Sequence, residues 1–473
     1  MIRRFAVWLD RQTGIRGLLH AALDEPIPGG ASFAYVFGSG LLFLFISQVI
    51  TGVFLALYYV PSADHAHTTV AYIVKEVSSG SFVRSIHVYG SSAIIIVLLL
   101  HIAQTILFGS YKGPRHLLWL SGCVLFALML AMAFTGYLLP WDQKAYFATA
   151  VSTNIFVLPV VGPWIKAFVR GGNELGTLTI SRFFVAHVFV LPALIFAFVA
   201  THVYLFRRAG ASGAPVPRRT AAESFYPRQL VMDMAFAALL VLALGALAQW
   251  TPAELGPEAN AADTHFLPRP EWYYVPIFQW LKYWPGDRAV VGIFVIPTIV
   301  ALLFAALPFL DHGTERRPWR RPWSVGACAA LMIALVTLGV RSREQDRSDP
   351  AVARQLDAQR DAVRAYMAEA FEPQESAGSL RVANASLAAV ANPLTARGQK
   401  VFGEQSCDVC HGPDGHGSDS GPSLVGAAAR HTEGELSRII KTPTQKMSDS
   451  GMQPLDISDD DLAALTAYVS MLK

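Results

Sequence analysis

Seven stretches of this chain are almost free of charge and long enough, or nearly so, to cross a bilayer, at about 33–60, 84–108, 115–139, 182–206, 230–250, 289–310 and 323–340. About 20 helical residues suffice for that crossing. Water is missing from the hydrocarbon core, so backbone N–H and C=O groups there must be bonded within the segment, and continuous runs of this length are helices. The expected fold is all-α: a polytopic membrane bundle of about seven transmembrane helices, followed by a small all-α domain. Composition agrees, with 53% hydrophobic and only 15% charged residues. A net charge of +3 over 473 residues gives no reason to expect nucleic acid as a partner. The start MIRRFAVWLDRQTG lacks a long apolar core before a small-residue cleavage site, so no removable signal peptide is expected.

Arginine and lysine concentrate before the first run and after the second, fourth and sixth, from Arg3 and Arg4 to Arg320 and Arg321. The positive-inside rule therefore places the N-terminus in the cytoplasm and everything after the seventh run outside it. The expected setting is a bacterial inner membrane with a periplasmic C-terminal domain. Residues 342–373 are charged and helix-prone, and 374–391 are small and polar, which reads as a solvated helix and then a tether.

The second and fourth runs each carry two histidines, His87 and His101 separated by 14 residues, His187 and His202 by 15. Close to four helical turns separate the members of each pair, a rise of ~21 Å. A lone histidine in an apolar helix is usually structural, but ionisable groups inside a bilayer are costly and by default functional. Antiparallel packing would set His87 against His187 and His101 against His202, each pair able to hold a haem iron from both sides. Gly38 and Gly52 in the first run, and Gly122 and Gly136 in the third, repeat the spacing of 14. Residues without a side chain let a macrocycle approach the backbone. Arg84 and Arg182 lie a few residues outside the outer histidines, where haem propionates would sit.

The exported part holds Cys407, Cys410 and His411 in SCDVCHG, the C-x-x-C-H pattern of covalent c-type haem attachment. The histidine takes one axial position, and a downstream methionine is expected at the other. Met452, just before an acidic-capped amphipathic helix, is the expected ligand, with Met447 the alternative. The expected cofactors are thus two haem b and one haem c.

Two outer loops complete the reading. One contains GYLLPWDQKAYF and is too apolar for ordinary solvated chain. The other contains Pro270-Glu271-Trp272-Tyr273, a carboxylate among aromatics at the membrane surface. Such a glutamate is either a proton acceptor or a solvated acid in an interfacial aromatic belt.

Over about residues 20–320 these features resemble cytochrome b of the quinol-oxidising cytochrome bc complexes. The 14 and 15 spacings, the stretch RRAGASGAP and only three later spans look more like cytochrome b6-f, as though cytochrome b and subunit IV were fused. The last 80 residues resemble a class I cytochrome c, including Gly398, Phe402, the loop at Pro422, and Tyr468. The expected domains are 1–228 for the four-helix haem bundle, 229–341 for the subunit IV-like region, 342–391 for a linker and 392–473 for cytochrome c. Val36 stands where the b6-f type carries a cysteine holding an extra haem, so a covalent third haem on the b side is not expected.

The resemblance implies a quinol:cytochrome c oxidoreductase. Quinol would be oxidised outside, near the PEWY and GYLLPW loops, with Glu271 accepting a proton and Tyr137 or Tyr273 nearby. One electron would leave through a separate Rieske iron–sulfur protein, and the other would cross both b haems to an inner quinone site. The c domain would pass electrons to a soluble or membrane cytochrome c or a terminal oxidase, within a homodimer of a larger complex that exchanges with the quinone pool. The competing reading is a di-haem membrane anchor of a dehydrogenase, which leaves PEWY unexplained.

Overall fold

The computed structural model describes residues 2–472 apart from 157, 159, 160, 216–221, 264, 373–392, 413, 414, 418–420, 450 and 451. The chain divides into two units, Met1–Phe371 and Glu372–Lys473. The expected tether lies outside the described residues.

Six helices of the first unit are long and apolar enough to cross a membrane: α1 Phe37–Ala56, α2 Gly80–Phe108, α3 His116–Leu138, α4 Thr177–Ala209, α5 Arg228–Trp250 and, after a shorter α6 at Val291–Ala305, α7 Pro322–Ser348. Two expectations shift here. The sixth run becomes the short helix, ~22 Å long at 1.5 Å per residue, which stops at Ala305 ahead of Pro308. The seventh run, the shortest in the sequence, becomes a helix of 27 residues. Apolarity stops near residue 340, but the helix runs on through RSREQDRS. It is held there by Gln345, which accepts from Gln279 at 3.1 Å, and by Asp346, which receives two bonds from Arg269 at 2.7 and 2.9 Å.

Helices α1, α2 and α5 pack through Leu44, Ile94, Val97 and Leu244. Few other side chains on the spans are covered: only 6% of the most apolar stretch of α5, and likewise of α7, is buried. In water such apolar faces would drive aggregation, whereas lipid or neighbouring subunits satisfy them. The charged segment after α7 forms α8, Pro350–Ala368, capped by Asp349 accepting from Ala351 at 2.9 Å. It docks on this unit, with Tyr366 and Met367 against Val70, Ala71 and Leu255. A two-stranded antiparallel pair, Pro26–Ile27 with Glu223–Ser224, joins two loops near the starts of α1 and α5.

A buried ionic knot ties the α2–α3 turn to the segment before α7. Asp311 accepts from Lys112 at 2.7 Å, from Arg321 at 3.1 Å, from Ser324 at 2.8 Å and from the Tyr111 hydroxyl. Arg321 also donates to the carbonyl of Ile106 at 2.7 Å, closing the end of α2. Burial alone would raise the Asp311 carboxyl, but the four donors outweigh it and hold the group at about 2.

In the second unit, α9 Pro393–Glu404 crosses α12 Asp459–Met471, with α10 Cys407–His411 and α11 Glu433–Lys441 completing it. The crossing depends on Gly398, since a Cβ there would meet the Ala464 carbonyl at 2.0 Å. Phe402 and Tyr468 pack beside it with ring centroids 5.4 Å apart and the rings tilted by 58°.

Because Asp311 lies below the ordinary aspartate value of ~3.9, it contributes stability above about pH 4 that fades as pH falls towards 2. Asp311→Ala strands two buried cations and should cost on the order of 3–5 kcal/mol. Denaturant unfolding across that pH range checks both, and an acid-sensitive limb unchanged in the variant would assign it to other groups.

Candidate functional site

The four helices α1 to α4 bring the four predicted histidines together in two levels. His87 and His187 face each other with ring centroids 6.3 Å apart. Two imidazoles sharing one metal at about 2 Å per nitrogen place their centroids about 6 Å apart. His101 and His202 lie within electrostatic reach of each other at the second level.

Each predicted glycine faces one of these rings. A Cβ on Gly52 would lie 3.1 Å from His87, on Gly136 2.5 Å from His187, on Gly122 3.3 Å from His202 and on Gly38 3.7 Å from His101. The histidines thus press on bare backbone of the neighbouring helix.

Hydroxyls unmarked in the sequence reading orient three of the rings. Thr51 meets His87 Nδ1 at 2.9 Å, Thr135 meets His187 Nδ1 at 3.2 Å and Ser121 meets His202 Nδ1 at 2.8 Å. Their signal was present: each directly precedes its glycine, as Thr-Gly or Ser-Gly. With Nδ1 engaged, Nε2 is the nitrogen left to ligate. The residues therefore fit bis-histidine iron ligation.

The unequal spacings have a local cause. Residues Ala186–Val190 form a π-helical turn containing His187. Pro192 lacks an N–H and clashes with the carbonyl four residues back, which opens the turn and absorbs one extra residue. A separation of 15 on α4 can so match 14 on α2.

Arg84 is 6% exposed and donates to the carbonyls of Ala253 at 2.8 Å and Glu254 at 3.1 Å. Arg182 donates to the Phe168 carbonyl and lies 5.2 Å from that ring. Both predicted propionate partners are therefore engaged with outer loops, leaving other N–H donors on each guanidinium.

The two outer loops converge beside the first rung. Tyr137 follows Gly136, the glycine against His187. Asp142 caps the helix Gln143–Asn154, and Lys144 in its first turn reaches Glu271 Oε1 at 2.8 Å and lies 5.4 Å from the centre of the Tyr137 ring. A cation at a helix N-terminus is disfavoured by the dipole, so the carboxylate of Glu271 is its natural partner. Nothing in the sequence reading pointed to Lys144. The PEWY turn closes through Tyr274 N–H donating to Glu271 at 2.8 Å. It rests on the bundle through Trp272 donating to Ser92 at 3.2 Å and Tyr274 to Leu130 at 2.6 Å. Burial, with the Glu271 charge adding, raises the Tyr273 phenol above its ordinary value, so it stays protonated.

Near the second rung, Asp233 on α5 accepts from Gln229 at 2.8 Å and bonds Ser39, the residue after Gly38. A cavity of about 380 Å³ opens among Tyr35, Arg115, Arg316 and residues 211–215.

In the second unit, His411 Nδ1 bonds the Pro422 carbonyl at 2.8 Å, again leaving Nε2 for a metal. Cys407 and Cys410 form no disulfide. Met447 lies in the short helix Gln445–Asp449, and Met452 follows as half-buried extended chain with its N–H on the Met447 carbonyl at 3.0 Å. Ser458 caps α12 by accepting from Asp461 at 3.2 Å.

Bundle and site together define a helical membrane protein built around paired histidines in its apolar interior. Residues 22–210 match the family model for cytochrome b/b6/petB, 258–357 that for the C-terminal part of cytochrome b/b6/petD, and 395–473 that for cytochrome c. Cytochrome b of Rhodobacter capsulatus is 33% identical over 351 residues, covering 67% of this chain and 80% of that protein. The menaquinol:cytochrome c reductase cytochrome b subunit of Geobacillus thermodenitrificans is 38% identical over 222 residues, 45% of this chain and 99% of that one. A solved structure titled hyperthermophilic respiratory Complex III superposes with a TM-score of 0.64 at 26% identity, over 76% of this chain and 96% of the other. The chain belongs to the cytochrome b family and carries a cytochrome c domain at its C-terminal end.

The glycine distances rank two substitutions. Gly136→Ala drives a methyl into His187 at 2.5 Å, whereas Gly38→Ala makes ordinary contact with His101 at 3.7 Å. Reduced-minus-oxidised spectra of the purified variants should show about half the b-haem absorbance lost in the first and none in the second; an intact spectrum in Gly136→Ala would detach that glycine from haem binding.

Proposed function

We propose that this chain is the electron-transfer subunit of a bc-type quinol:cytochrome c oxidoreductase, oxidising quinol at the outer loops and reducing quinone at the inner end. The observation that carries it is the run from Glu271 through Lys144 to Tyr137, which is one residue from the glycine packed on His187. A carboxylate set beside the first histidine rung is what coupled proton and electron removal from a quinol needs. A membrane anchor has no use for it.

His87 with His187 and His101 with His202 hold two b haems, and Cys407, Cys410, His411 and Met452 hold the c haem. When bound, these groups supply a one-electron relay between the two ends of the bundle and a port to an outside acceptor.

Glu271 accepts a quinol proton after parting from Lys144. That pair is partly exposed on both sides, so its opening is cheap, ~0–1 kcal/mol. Tyr273, kept protonated, and Tyr137 line the quinol position as hydrogen-bonding groups. At the inner end Asp233, an ionisable group inside an apolar span, is the carboxylate placed to deliver a proton to quinone. A separate Rieske iron–sulfur protein takes one of the two quinol electrons at the outer site and passes it to the c domain, from which a cytochrome c or terminal oxidase receives it. The arginine distribution sets the N-terminus in the cytoplasm of a bacterial inner membrane, with a homodimer as the working unit.

Pyridine haemochrome quantitation on the purified chain should return two b haems to one c haem, and fewer b haems would break the ladder. Glu271→Gln should slow quinol oxidation by ~10²–10⁴ while leaving all three haem spectra intact; lost b-haem absorbance would instead make the residue structural.

A further inference from the structure

The two rungs are not equivalent in the bonds behind their histidines. At the outer rung both Nδ1 atoms meet hydroxyls, Thr51 for His87 and Thr135 for His187, and His187 also reaches the Met132 carbonyl at 3.1 Å. Each hydroxyl has one proton, committed to its own helix: Thr51 donates to Ser47 at 2.8 Å, Thr135 to Ala131 at 3.0 Å and Ser121 to Leu118 at 2.8 Å. The oxygen is therefore an acceptor towards the ring, and the histidine Nδ1–H donates.

At the inner rung His202 has the same arrangement with Ser121. His101 does not. Its Nδ1 is buried with no hydrogen-bond partner among the described residues. The position that supplies the hydroxyl three times, the residue before the facing glycine, is here Phe37 before Gly38, with its ring edge-on to Phe236 at 6.0 Å. An unsatisfied buried donor is costly, so its presence at one of four matched positions asks for a reason.

A hydrogen bond donated from Nδ1 pushes electron density towards Nε2, makes the imidazole a stronger donor and favours the oxidised metal. A histidine lacking that bond favours the reduced metal. We infer that Phe37, by withholding a hydroxyl from His101, holds the reduction potential of the b haem at that rung above the value a fourth hydroxyl would give it. This inference rests on the four histidines holding two haems. Phe37 is thus a positioning residue for electron transfer, acting through His101, and favours the step from the quinol-oxidising end to the quinone-reducing end.

The experiment is a potentiometric titration of the b-haem α-bands in the full chain with its native partners. Phe37→Thr should lower one of the two b midpoints, leaving the other in place. Phe37→Leu, which removes the ring without adding a hydroxyl, should leave both where they were. Thr51→Val should raise the other midpoint, and it tests the same mechanism if Phe37→Thr fails to assemble. Unchanged midpoints in Phe37→Thr, equal shifts in Thr and Leu variants, or unmoved midpoints in Thr51→Val would overturn the inference. A wild-type preparation with fewer than two b haems would instead sink the ligation reading beneath it.

Discussion

Four half-buried imidazoles inside an apolar bundle are the constraint on which the rest of the structure depends. Uncharged imidazole is least costly in hydrocarbon when both nitrogens are used. Here one nitrogen is tied to a hydroxyl on the next helix at three positions of four, and the other is left for a metal. The hydroxyls and glycines come in adjacent pairs because one turn of helix must both bond the ring and give way to it. That requirement fixes the facing of α1 on α2 and of α3 on α4, and the long helices follow.

The outer end inherits its geometry from this arrangement. Tyr137 follows Gly136, the glycine packed on His187, and the loop that leaves α3 immediately caps a helix whose first turn presents Lys144 to Glu271. The PEWY turn is positioned from the other side by Arg269 on Asp346, which lies beyond the apolar part of α7. The polar extension of that helix is thus a strut for the site rather than the beginning of a tether.

The inner end is held by charge as well as by apolar contact among Ile106, Trp119 and Leu307. Asp311 with Lys112 and Arg321 replaces water for three ions at once and joins the cytochrome b-like and subunit IV-like parts into one body. Asp233 differs from this knot in that its hydrogen-bond partners among the described residues, Gln229 and Ser39, are neutral.

Much of this was legible beforehand because it is periodic or contiguous. Apolar runs, the histidine and glycine spacings and Cys407-x-x-Cys410-His411 are local patterns, and helical geometry turns them into faces without further information. The Thr-Gly and Ser-Gly pairs were equally local and could have been read. The short α6 was hidden because hydropathy counts ignore what Pro308 does to a helix, and the long α7 because they stop where charge begins. Lys144 and Glu271 are 127 residues apart, and no spacing rule joins groups on separate loops. Their contact, the π-turn that equalises the two ladders and the missing partner of His101 were decided only when the helices closed on one another, since each depends on which side chain a neighbouring helix brings within about 3 Å.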